Sequence, residues 1–393
     1  MNMIPKGFLF STAEAAIKYP NRKDLALIYS EREANIAGAF TTNRVKAAPV
    51  RLDMKRIKSG RGQAIVINSG NANACTGKQG TRDAARTAAL VARALRIKPS
   101  LVYVCSTGVI GVPMPMERVG QKIIGLIDTL GRSTIQDAAK AIMTTDTFPK
   151  IVHKKIRIHD RTGTITGICK GAGMIWPDMA TMLCFLMTDI AVEQKTLDKA
   201  LKDAVRQSFN RISIDGDRST NDTVLFMANG VLDTVPVTEK SESYNTFKMA
   251  LQEVTFNLSK LIVKDGEGAT KFIEIEVRNA KNEKDAERAA FAVANSNLVK
   301  TAIYGNDPNW GRIMAALGYS GIAIKEEKID IYFGKIKIVH KGTGTGKDDK
   351  AAEILKGKEL KIIINLNLGR YVAKVLTCDL TEEYIKENKA YRT

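Results

Sequence analysis

The chain reads as an α/β (α+β) protein, and two kinds of segment say so. Short apolar runs rich in β-branched and aromatic residues, bounded by turn residues, have the length of buried strands: Gln63–Asn68, Leu101–Cys105, Thr181–Met187, Thr223–Ala228 and Leu360–Leu366. Between them stand Thr81–Leu95, Val192–Phe209 and Leu251–Val263, with apolar residues at helical spacing. At 393 residues the chain exceeds a typical single domain, so one large or two coupled domains are expected. No internal repeat is visible.

In chain order, Leu25–Tyr29 and Ala37–Thr41 read as the strands of a hairpin joined by the polar stretch Ser30–Asn35. Gln63–Asn68 runs into SGNANACTG (69–77), whose Gly, Asn and Ser accept left-handed φ and offer backbone donors. Leu101–Cys105 ends in STGVIG (106–111). A strand that stops at Thr107–Gly108 leaves backbone N–H groups facing outward with no Cβ in the way, which suits an oxyanion hole; a plain strand-to-turn transition has the same spelling.

The central stretch is KGAGMIWPDMATMLCFLMTD (170–189). Gly171, Gly173 and Pro177 make its first half a sharply turning loop, and Thr181–Met187 reads as a strand buried on both faces. Thr181 sits on the seam. Cleavage before it would give a threonine whose own α-amine, with an ordinary pKa of about 7.7–8.0, can take the hydroxyl proton. Spacing alone equally fits a threonine placed there for β-propensity.

Beyond the strand, DGDRSTND (215–222) is dense in Asp, Asn, Ser and Thr but lacks the spacing and terminal Glu of an EF-hand, so it reads as a hydrogen-bonded structural loop beside the site. Glu267 stands between two glycines in KDGEGATK (264–271), where its carboxylate can approach a ligand closely. AIYGNDPNWGRIMAALGYSG (302–321) pairs a turn with an apolar helix. KGTGTGKDDK (341–350) is not a phosphate loop, because Lys347 precedes Asp348 and the glycine spacing is wrong; it reads as a hairpin connection. GAGMIW (171–176) lacks the third glycine of a dinucleotide fingerprint.

Composition narrows the class. With 44% hydrophobic and 26% charged residues the chain has the balance of a soluble globular protein. Its N-terminus lacks a signal-peptide core and no run is long enough to span a bilayer, so a cytoplasmic protein without membrane contact is expected. Five cysteines without paired spacing read as small buried hydrophobes, and the three histidines make no metal spacing with them, so no metal and no cofactor is expected. His153 and His159 flank a basic run and read as solvated. The net charge of +18 raises nucleic-acid binding as a different class of function, but the lysines are dispersed among glutamates, as in KNEKDAERAAFA (281–292), with no aromatic–basic motif. No nucleic acid is expected as a partner.

KGAGMIWPDMATML (170–183) closely resembles the autoproteolytic segment of the ornithine acetyltransferase / glutamate N-acetyltransferase family of arginine biosynthesis. Trp176 and Asp178 depart from the family's wording on the loop. The start of the chain, STGVIG, IMTTDTFPK (142–150), KDGEGATK, AIYGNDPNWGRIMAALGYSG and the terminal NKAYRT resemble the same family in the same order, so the resemblance runs from Gly7 to Thr393. It implies an α-β-β-α sandwich of the N-terminal-nucleophile-like type, cut between Ala180 and Thr181 into chains 1–180 and 181–393 that form one intertwined unit, two of each. It also implies Thr181 as acetyl carrier, Thr107 and Gly108 as the oxyanion hole, and Thr144, Thr181, Glu267, Asn388 and Thr393 as substrate-binding residues; Lys170, eleven residues before Thr181 on the same loop, reads as the cation for the α-carboxylate that both substrates carry. The implied substrates are N2-acetyl-L-ornithine and L-glutamate; use of acetyl-CoA as a second donor is left open. Within the same fold the rival is a hydrolase resembling the L-aminopeptidase/D-Ala-esterases, separated by comparing acetylglutamate formation with acetate release.

Overall fold

The computed structural model describes residues 4–176 and 182–390, so Ala180, Thr181 and Thr393 lie outside the described residues. The first half of the chain runs β1 (Phe8–Ala13), β2 (Leu25–Phe40), α1 (Ala48–Arg56), β3 (Arg61–Asn71), α2 (Gly77–Leu95), β4 (Val102–Val109), α3 (Met116–Asp128), α4 (Ile135–Ala141), β5 (Lys150–Ile158) and β6 (Arg161–Lys170). It continues through β7 (Leu183–Thr188), α5 (Gln194–Gln207), β8 (Thr223–Ala228) and α6 (Ser243–Lys264). These strands hydrogen-bond in the order β4-β3-β2-β8-β7-β6-β5, with β1 on β2.

One strand turns that ladder into two layers. β2 pairs with β1 and β3 through Leu25–Tyr29 and with β8 through Asn35–Phe40, and its register shifts between Tyr29 and Ala34. The hairpin expected from Leu25–Tyr29 and Ala37–Thr41 is therefore one long bulged strand. Ser30–Asn35 contains no glycine or proline to reverse the chain, and Glu31, Arg32 and Glu33 are exposed at the bulge rather than at a turn.

Side-chain alternation then assigns each face. Ala26, Ile28, Ile65, Ile67, Tyr103 and Cys105 of β2–β4 share one core with Leu183, Phe185, Met187, Leu225 and Met227 of β7 and β8. The alternate residues face helices. Leu27, Ala64, Val66, Val102 and Val104 pack against Ala88, Val91, Val119 and Ile123 of α2 and α3, whereas Cys184, Leu186, Val224 and Phe226 pack against α5 and α6. The result is an α-β-β-α sandwich, as the resemblance implied. Every residue of β7 is buried, as its unbroken apolar run requires.

The rest is a mixed sheet with helices on it: β9 (Phe272–Ala280), α7 (Glu283–Ala294), α8 (Asn297–Tyr304), α9 (Trp310–Gly318), β10 (Asp330–Phe333), β11 (Ile336–His340), β12 (Thr343–Gly344), α10 (Asp348–Leu355), β13 (Glu359–Asn365) and β14 (Tyr371–Cys378). It has its own core, and β14 touches the sandwich through Leu376 and Cys378. The segment 341–350 supplies the end of the β11–β12 hairpin and the start of α10. The closing helix, α11 (Glu382–Ala390), returns towards the sandwich. No helix among the described residues is long and apolar enough to cross a membrane, and no cluster of His, Cys, Asp or Glu among them is arranged for a metal.

Phe185 occupies the middle of the inter-sheet core with no exposure. Phe185→Ala should lower unfolding free energy by about 3–5 kcal/mol, read from denaturant melts; a loss under about 1 kcal/mol would mean the two sheets do not depend on that core.

Candidate active site

A cleft of about 210 Å³ opens where β4, β6 and the loop after β6 meet the turn that holds Glu267 and the last helix. Thr107 and Gly108 line it from β4. The strand does not stop at this pair, as its apolar run suggested, but continues to Val109 beside a register shift at Gly70–Asn71 of β3. Gly108 has φ +132°, and a Cβ there would lie 2.3 Å from the Gly70 carbonyl carbon, so only glycine lets the two backbones approach at this bulge.

The IMTTDTFPK segment brings Thr144 to the same cleft. Lys170, buried at the end of β6, donates to Thr144 Oγ1 at 2.6 Å. Both depend on Asp146, whose carboxylate accepts the Thr144 N–H (3.0 Å), the Gly171 N–H (2.7 Å) and the Lys150 ammonium (2.7 Å), with Lys170 Nζ 3.7 Å away. Lys150 also donates to Asp265 at 2.5 Å, and Asp265 accepts the Thr147 N–H at 3.0 Å. Burial alone would raise the Asp146 carboxyl, but Lys170 and Lys150 outweigh it and hold it well below the carboxylate range. Burial would likewise lower Lys150, yet Asp146, with Asp265 beyond it, raises it. The alternating charges favour the ionised forms of Asp146 and Lys150.

Across the cleft, Glu267 N–H donates to Ala172 O at 2.8 Å. Its carboxylate lies against Gly173, where a Cβ would fall 2.4 Å from Glu267 Cδ. Gly268, at φ +65°, admits the backbone of α11, since a Cβ would meet Tyr384 N at 2.3 Å. Asn388 then donates to Glu267 Oε2 at 2.9 Å. Tyr384 donates to Asp215 Oδ2 at 3.4 Å, and Asp215 in turn accepts the N–H groups of Met174 and Ile175 at 2.5 and 2.9 Å, clamping the loop that precedes residue 177. Ile385 is 63% exposed, because the helix is docked by hydrogen bonds and the Tyr384 ring rather than by an apolar face.

The remaining wall is the 215–222 loop. Asp215, Asp217, Ser219, Thr220 and Asn221 line the cleft, and Asn221 donates to Ala72 O and Ser106 O at 2.7 and 2.8 Å, tying the wall to β4. Asp222, directly behind, accepts the Met182 N–H at 3.2 Å. The structure thus brings together Thr107, Gly108, Thr144, Lys170, Glu267 and Asn388. Sequence reasoning missed Asp146, Asp215 and Asp222, although each belongs to a segment it singled out. The signal was an Asp among small polar residues beside a strand end, which also spells an ordinary turn.

The layering and the cleft together define an α-β-β-α sandwich whose site groups hydrogen-bond donors at the approach to a strand buried on both faces. The chain belongs to the ArgJ family, which it matches over residues 9–393. It is 53% identical to the arginine biosynthesis bifunctional protein ArgJ of Caldanaerobacter subterraneus subsp. tengcongensis over 99% of this chain and 98% of that one. The protein of the same name from Geobacter sulfurreducens is 51% identical over 99% of both chains. A crystal structure of arginine biosynthesis bifunctional protein argJ from Bacillus halodurans, 42% identical, superposes with a TM-score of 0.51 over 53% of this chain and 98% of its own. The chain is an acyltransferase of arginine biosynthesis.

Asp146→Ala would leave buried Lys170 without its carboxylate and Lys150 with Asp265 alone, and should cost about 3–5 kcal/mol in a denaturant melt. In the wild type the depressed Asp146 carboxyl contributes stability above about pH 4, which is lost as pH falls below that. An Asp146→Ala variant as stable as the wild type at pH 7 would show that the network is dispensable.

Proposed function

We propose that the cleft transfers acetyl from N2-acetyl-L-ornithine to L-glutamate through an acetyl ester on Thr181, after the chain has cut itself between Ala180 and Thr181. The observation that carries this reading is the convergence of Thr107, Gly108, Thr144, Lys170, Glu267 and Asn388, from segments far apart in sequence, on one cleft. That cleft is also walled by Gly173 and Met174, which precede residue 181 on its loop, and backed by Asp222, which holds the residue after it.

The chemistry runs in two balanced steps. The Thr181 hydroxyl attacks the acetyl carbonyl while its own α-amine takes the proton. Backbone N–H groups at Thr107–Gly108 stabilise the oxyanion. Ornithine leaves as the amine, carrying that proton, and the acetyl group stays on Thr181 Oγ1. The glutamate amine then attacks the ester, giving N-acetylglutamate and the free hydroxyl. Lys170 and Thr144 face the α-carboxylate that both substrates carry. Glu267 faces the ornithine δ-ammonium, and the Asn388 amide beside it is the donor for the distal carboxylate of glutamate. Thr393 is a further substrate-binding residue in this reading, and acetyl-CoA as an additional donor would enter by the same ester.

Cutting before Thr181 need not release either piece. β6 and β7 pair along Ile165–Lys170, and β2 pairs with β8, so strands from both sides of the cut alternate in one sheet. The active species is then two chains, 1–180 and 181–393, assembled as two of each in the cytoplasm.

Intact mass under denaturing conditions should give those two fragments, and Thr181→Ala a single inactive chain, whereas Cys184→Ala should still be cut. Initial rates should give parallel double-reciprocal lines. A full-length active chain, or acetate release matching acetylornithine consumption with no acetylglutamate, would sink the assignment. Glu267→Gln should raise the KM for acetylornithine about tenfold or more through loss of the ammonium partner; an unchanged KM would remove Glu267 from substrate binding.

A further inference from the structure

Asp222 is fully buried and bears on the start of β7. Its Oδ1 accepts the Met182 N–H at 3.2 Å, whereas Oδ2, equally buried, has no hydrogen-bond partner among the described residues. The Thr41 and Ser219 hydroxyls stand near the carboxyl and favour its charged form; Thr41 donates to Ser219 O, Ser219 Oγ accepts the Asn221 N–H, and Oδ2 itself remains without a hydrogen bond among the described residues. Lys170, from β6, is the charged group that acts on it. Burial pushes the Asp222 carboxyl far up, against the opposing pull of the Met182 N–H and Lys170. A buried carboxyl oxygen without a partner is uncommon and costly, and asks what group it is kept for.

Covalent connectivity supplies the answer. The Met182 nitrogen is bonded to the carbonyl carbon of residue 181, so the carboxyl is already held one peptide unit from that residue's Cα. Cutting the chain before residue 181 creates one new polar group there, the α-amine. We propose that Asp222 is the positioning residue of the new amino terminus: Oδ1 holds the Thr181–Met182 amide and Oδ2 accepts an N–H of the Thr181 α-amine, leaving the amine's lone pair for the threonine hydroxyl. This rests on Thr181 being the nucleophile freed by cleavage.

In the pair the Asp222 carboxylate faces the α-amine in its ammonium form. The ammonium must lose one proton to solvent before it can serve as base, so kcat rises with pH through that titration. A paired carboxylate favours the ammonium, which places the rise above the ordinary α-amine value of about 7.7–8.0.

Asp222→Asn separates positioning from packing, because the amide keeps an oxygen for Met182 N–H but offers only donors where Oδ2 was. The variant should still be cut before Thr181. Its kcat should fall about 100-fold, the low end of what a positioned base contributes, with the KM for acetylornithine within about twofold of wild type. The rising limb of its kcat–pH profile should move to lower pH, a change that a structural role would not produce. In the wild type, NMR titration of the isotope-labelled Thr181 α-amine should give a pKa above about 8, a readout independent of how the variant folds. A cut Asp222→Asn enzyme with wild-type kcat and pH limb, an uncut variant, or an α-amine titrating at or below its ordinary value would each overturn the role of Asp222. An uncut, active wild-type chain would overturn the nucleophile reading beneath it.

Discussion

β7 is buried on both faces, and the site depends on that. Its residues alternate between the inter-sheet core and the core under α5 and α6, while β6 and β8 hydrogen-bond its two edges. A strand held on four sides cannot slip without turning its apolar side chains into the wrong layer. Its first residues are therefore fixed at the one place where the loop from β6, the 215–222 wall and the end of β4 converge. A nucleophile attached to such a strand needs no further framework to be held in register, and the free-energy cost of ordering it is offset by core burial rather than by contacts with substrate.

Opposite the strand, electrostatics do the organising. Lys170 and Thr144 approach the cleft because Asp146 gathers two ammonium groups and two backbone N–H groups, and because Asp265 completes the charge of Lys150. A buried ion network of this kind is weak evidence for stability in itself, but removing one member leaves an uncompensated charge. Its use here is geometric. It ties the segment before β5, the end of β6 and the C-terminus of α6 to one point, two residues from Glu267. On the far side, two glycines let α11 and Glu267 approach, and Tyr384 and Asp215 clamp the loop between them.

Much of this was legible from residue order. The run Thr223–Ala228 is a strand with those bounds, and the apolar helices fall where their spacing put them, because burial on a regular element leaves a periodic record. The positions carried over by resemblance, Thr107, Gly108, Thr144, Glu267 and Asn388, meet in one cleft with Lys170. Long-range pairing leaves no such record. Ser30–Asn35 looks like a turn because its exposed charges resemble those of a loop, and only the partners β3 and β8 reveal a continuous bulged strand. Asp146, Asp215 and Asp222 were invisible as site residues for the same reason: a carboxylate is ordinarily exposed, and its burial beside Lys150, Met174 or Met182 is decided by residues 4 to 41 positions away.

The central claim is that acetyl rests on Thr181 between donor and acceptor. Acid quenching of the enzyme after mixing with acetylornithine alone, followed by peptide mass spectrometry, tests it directly. The account predicts an acetyl ester on the peptide that begins with Thr181, removed when glutamate is added before the quench. Acetylation of any other residue, or turnover at full rate with no acetyl on that peptide, would contradict it.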